Sequence, residues 1–172
     1  MRLDVVSATA SILLGASAMT DPLPADWSPK ADGTLNHGPS GAVCPVKLAD
    51  FARTTIESKG APDLGICTYA GGNNSEGLIR VRQYVRGQGE TPLAIQNDEA
   101  LIEPKPDTPN VVIGFRVGPG PEKNGAPTRQ AVLTTANNGL LIDCIGRQLA
   151  SDSSEAGFEF AQQCIGLQPQ KK

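Results

Sequence analysis

The chain has 172 residues, with 15 Lys and Arg against 18 Asp and Glu, one His and one Trp. This length suits one domain, and a net charge of −3 leaves neither a basic footprint for general nucleic-acid binding nor a polybasic segment for an anionic membrane. Aromatic residues make up only 4 % while 19 glycines and 14 prolines punctuate the chain, so the core is modest and gains from covalent reinforcement.

In chain order, Arg2, the apolar run Val5 to Leu14 and then Ala16-Ser17-Ala18 read as a secretory signal peptide over residues 1–18. The run is shorter than the ~20 apolar residues that span a bilayer, so no integral membrane segment is expected after cleavage. Asp4, Ser7 and Thr9 dilute the pattern, and an ordinary N-terminal helix is the competing reading. Export implies a periplasmic or secreted protein.

Residues 19–39 carry Pro22, Pro24, Pro29 and Pro39 among polar residues and are expected to be a flexible segment. Trp27 is expected to pack back onto the domain. His37 is expected to be a solvated loop residue, since a mobile tail cannot orient a catalytic base.

The globular domain is expected over residues 40–168. Leu48 and Phe51 have the spacing of a short helical turn, or belong to an irregular lead-in. Leu64 to Ala70 and Leu78 to Val85 alternate with period two about Gly71-Gly72-Asn73-Asn74, which predicts a hairpin. Ile79 and Val81 then share one face, and Arg80, Arg82 and Tyr84 the other. A short helix is predicted over Leu93 to Glu103, and a strand over Val111 to Val117, with Gly118 to Pro127 as a long polar loop. Asn137-Asn138-Gly139 between Arg129–Ala136 and Leu140–Gly146 predicts a tight hairpin. Ser153 or Ser154 caps a final helix whose apolar face is Phe158, Ala161, Cys164 and Ile165, with Gly157 weakening it. The fold class is α+β: an antiparallel sheet of about five strands with a C-terminal helix packed on one face.

The four cysteines form two separated couples, Cys44 with Cys67 and Cys144 with Cys164. Four cysteines allow three pairings, and this one puts Cys144 and Cys164 on faces that share a core. Such bridges belong to oxidising compartments. There is no C-x-x-C, no G-x-S-x-G and no phosphate loop, so no cofactor or metal is expected. The remaining constellation is cationic. Arg80 and Arg82 with Arg116, beside Tyr69 and Tyr84, form a sheet face able to grip carboxylates of an acidic protein partner. A plain solvated face, neutralised in part by Asp143 and Glu76, is the alternative.

Cys44-Pro45, Phe51-Ala52-Arg53 and Cys67-Thr68-Tyr69 resemble the Cys-Pro, Phe-x-Arg and Cys-x-Tyr pattern of small exported bacterial proteins of unknown function. The later order of hairpin and closing helix is similar to that of PsbP-like sandwiches, which implies a non-catalytic adaptor. The function expected is therefore an exported binding or adaptor domain of the envelope. The alternatives are a small hydrolase or lyase pairing Asp143 with Tyr84, and a purely structural envelope protein.

Overall fold

The computed structural model describes residues 22–83 and 112–169. The signal peptide, the helix over Leu93 to Glu103 and Tyr84 fall outside these residues. Two sheets and one helix make up the described fold. Strands β1 (Trp27–Pro29), β2 (Leu35–His37) and β3 (Val43–Cys44) form a small antiparallel sheet. Strands β4 (Lys47–Leu48), β5 (Phe51–Glu57), β6 (Asp63–Ala70), β7 (Glu76–Gln83), β8 (Val112–Lys123), β9 (Ala126–Asn137) and β10 (Leu140–Leu149) form a curled sheet in the order β4-β5-β6-β7-β10-β9-β8. Helix α1 (Ala156–Leu167) closes the chain.

The antiparallel sheet with a C-terminal helix is as expected, but it is larger than five strands. The stretch expected to be flexible contributes β1 and β2, with Trp27 and Leu35 buried. A local turn explains its order: the Thr34 amide donates to Asp32, Lys30 pairs with Thr34, and Gly33 takes the positive φ there (78°). In place of a helical turn, Leu48 and Phe51 lie opposite each other in the β4–β5 hairpin. A register shift between Arg53 and Thr55 breaks the alternation that would have marked β5 as a strand.

The polar loop expected over Gly118 to Pro127 is instead the tip of a second long hairpin. β8 runs to Lys123, and Asn124-Gly125 turns it with φ of 52° and 75°. The Asn138-Gly139 turn does the same between β9 and β10, with φ of 51° and 76°. Both pairs suit two-residue turns whose central residues need positive φ. Pro119 and Pro121 are tolerated because β8 is an edge strand, where a missing N–H on the outer side breaks no ladder.

The core lies on one face of the large sheet. There Cys67, Tyr69, Ile79, Val81, Ile142 and Cys144 are wholly buried beneath α1 and the small sheet. Phe160 of α1 meets Phe51 and Tyr69 with ring centroids at 4.9 and 5.2 Å. Gly77 leaves room for that ring, since a Cβ would overlap it. Gly157 has a packing reason to be in the helix. It lies directly on Gly146 of β10, where a methyl group on the latter would overlap the Gly157 carbonyl. The helix start has no serine cap: Glu155 holds the N-cap position without a side-chain bond. The Gly157 amide donates instead to Oε1 of Gln148 at 2.8 Å, and the Gln148 amide group donates to the carbonyls of Asp152 and Ser154.

Both disulfides join the expected partners. Cys44–Cys67 ties β3 to β6, and Cys144–Cys164 ties β10 to α1. Among the described residues no helix is long and apolar enough to cross a membrane.

Candidate functional site

Arg80 and Arg82 share a face of β7, and β10 sets Asp143 directly opposite Arg80. Both turn to Asp143, Arg82 from a buried position and Arg80 from a partly exposed one. Arg80 donates to Asp143 Oδ2 from Nε at 3.0 Å and Nη2 at 2.8 Å, and Arg82 Nε donates to the same oxygen at 2.7 Å. Thr134 Oγ1 donates to Oδ1 at 2.8 Å. Arg82 is 6 % and Asp143 1 % exposed. Burial pushes the Asp143 carboxyl up, but Arg82, Arg80 and Thr134 outweigh it and hold the group below its ordinary range. A carboxylate so held stays charged at neutral pH and is poorly suited to general acid–base work. Arg116 lies on β8 opposite Val132, two strands from Asp143 along the sheet.

Tyr69 faces the core instead of this network. It is wholly buried, and its hydroxyl donates to the Pro45 carbonyl at 2.9 Å. Burial pushes its phenol well above the ordinary value, with Arg53 opposing. Its role in this geometry is to hold the segment after Cys44 against the large sheet.

His37, expected to be solvated, is wholly buried on β2 beside Trp27, with ring centroids 5.0 Å apart. Ser40 Oγ is 2.8 Å from its Nδ1, and the Ser40 amide donates to the same nitrogen at 3.3 Å. Ser40 is equally buried and its Oγ also accepts from the Ala42 amide. This Ser–His pair is a turn lock closed to substrate. His37 stands between Asn36 and Gly38, and its burial comes from Trp27 across the β1–β2 pair.

Among the described residues, an open concavity lies at one end of the large sheet. A cleft of about 170 Å³ is lined by Asn74, Glu76, Glu122, Lys123, Thr128 and Arg147, among others. Arg147 Nη1 donates to Glu76 at 3.1 Å, and Lys123 Nζ donates to the Asn74 carbonyl at 2.9 Å. The cleft exists because the β8–β9 hairpin extends to Lys123, the very segment expected to be a loop. Among the described residues no group of three or more metal-ligating side chains occurs.

No protein-family model, curated protein or solved structure matches the chain.

Proposed function

We propose that the protein is an exported, disulfide-stapled binding domain that meets a polar partner at the cleft beside Glu122 and Lys123. Two bridges, uncommon in the reducing cytoplasm, support an oxidising compartment, and the signal-like N-terminus agrees with it. The single observation that carries the site is the cleft itself, an open hollow whose rim holds charges of both signs. A partner surface bearing both signs fits it better than the uniformly acidic one first expected from Arg80 and Arg82, whose charge is taken up by Asp143.

Charge placement at a rim sets partner choice and encounter rate. The test is cross-linked capture of the partner by the oxidised chain, using a Glu122→Lys/Lys123→Glu swap and an Arg80→Ala variant. Loss of capture in the swap with retention in Arg80→Ala supports the cleft. Unchanged capture in the swap, or loss in Arg80→Ala alone, removes it.

A further inference from the structure

Four features of the small sheet combine: its histidine is buried, that histidine has one free ring nitrogen, its tryptophan partner is equally uncompensated, and the hairpin bearing both has no covalent tie of its own. The backbone amide of Ser40 can only donate, so Nδ1 of His37 holds a lone pair. The neutral ring therefore carries its proton on Nε2, which is buried and has no hydrogen-bond partner among the described residues. Nε1 of Trp27 is in the same condition. A second proton must go to Nδ1. It converts that acceptor into a donor: Ser40 Oγ at 2.8 Å can accept from it by turning its own proton away, but the Ser40 amide is left facing a donor and a buried cation is created.

Beyond Ser40 Oγ, the surroundings offer this cation little. Asp26, on the approach to β1, favours it, but burial opposes it more strongly. Arg53 of β5, the charged group reaching the small sheet from the large one, is itself a cation and is directed at the Cys44 and Gly33 carbonyls. β6 presents Gly65 to Trp27, and the β9–β10 turn presents the neutral amides of Asn137 and Asn138 to the Ser40 and Pro39 carbonyls.

The attachments are unequal. β3 is fastened by the Cys44–Cys67 bridge, by Tyr69 on the Pro45 carbonyl, and by Gln168, whose Oε1 accepts from the Val43 amide at 3.0 Å. β1 and β2 are held without a covalent bond, through Trp27 against Gly65, Arg53 on the Gly33 carbonyl, the β2–β3 ladder, and the amide contacts just named on the segment after β2. We propose that the β1–β2 hairpin is an acid-released latch: a second proton on His37 expels the Trp27–His37 pair from the large sheet while the Cys44–Cys67 bridge keeps β3 tethered. Protonation of a buried histidine is an established way to bias such a contact. Release bares Trp27, Leu35 and the strip of β6 around Gly65, so apolar surface becomes available only in acid. The proposal is independent of the cleft.

The chain supplies its own probes, because His37 and Trp27 are its only residues of their kinds. With the full oxidised chain, Trp27 emission and the single histidine Cε1–H resonance are followed from about pH 8 to about pH 4.5, bracketing the ordinary histidine range. Far-UV circular dichroism monitors the large sheet in parallel. The expected result is a red shift of Trp27 emission as His37 protonates below its ordinary value of 6.5, with the sheet signal unchanged. In His37→Asn, whose carbonyl accepts from Ser40 in place of Nδ1, the shift disappears. The proposal is overturned by emission that stays constant while His37 titrates, by a shift that persists in His37→Asn, or by loss of the sheet signal at the same pH. Should the variant fail to fold, the wild-type titration alone still overturns the proposal through constant emission while His37 titrates or through loss of the sheet signal.

Discussion

Cys67 and Cys144 stand in one cross-strand row of the large sheet, either side of Ile79, and each carries its bridge to a different covering element. One bridge holds β3 of the small sheet and the other holds α1. Strand spacing sets the two anchors about 10 Å apart, so the cover over the central core is fixed at both sides of a single residue.

Removing either bridge is expected to cost about 3 kcal/mol in the chain-entropy account, since the closed loops separate their ends by 23 and 20 residues. Urea unfolding of Cys44→Ala/Cys67→Ala and Cys144→Ala/Cys164→Ala measures each separately. Trp27 emission shifts in the first variant and stays put in the second, because only the first loosens the small sheet.

Asp143→Asn leaves Arg80 and Arg82 facing a neutral group in a buried site, and is expected to destabilise by about 3–5 kcal/mol. The pH dependence has a definite sign. The folded-state carboxyl is held below its ordinary value of 3.8, so its contribution is complete above that value and is lost as the pH falls through the lower folded value. Urea midpoints measured across this acid range should fall more steeply for the wild type than for the variant.

Two glycines of the C-terminal region should respond oppositely to alanine. Gly146→Ala drives a methyl group into the Gly157 backbone and should cost about 1–3 kcal/mol or more through overpacking. Gly166 has nothing within 4 Å of its added Cβ, and Gly166→Ala should stabilise α1 by up to about 1 kcal/mol. Thermal unfolding midpoints moving in the same direction would contradict the close seating of α1 on β10.

Tyr69→Phe removes the hydroxyl that meets the Pro45 carbonyl and should cost about 1–3 kcal/mol, because that acceptor loses its buried donor. In the wild type, alkaline absorbance titration should show the Tyr69 phenol ionising only together with unfolding, as its burial requires.

Much of the fold was legible where pattern and turn chemistry act locally. Period-two alternation located β6 and β7, and Asn138-Gly139 located the β9–β10 hairpin. The pairing of Cys144 with Cys164 followed from matching apolar faces. What was not legible depended on partners distant in sequence. Trp27 packs onto the domain as expected, but His37, which it covers across β1 and β2, carries no local signal of order. Gly118 to Pro121 reads as loop because proline and glycine normally end strands, yet an edge position removes the objection. Gln148 of β10 caps the start of α1 from outside the helix, and Gln168, the C-cap residue, ties its end to β3. The Arg80 and Arg82 face was correctly placed on β7, but only the β7–β10 register shows that Asp143 claims both guanidinium groups. The cleft was missed because it depends on the length of β8.

Two specific sulfur bridges hold the small sheet and α1 onto one row of the large sheet. Peptide mapping of the native, unreduced protein by mass spectrometry tests this most directly. The expected products are a Cys44–Cys67 peptide and a Cys144–Cys164 peptide with no thiol open to alkylation. Four alkylated cysteines, or any crossed pair, would contradict it.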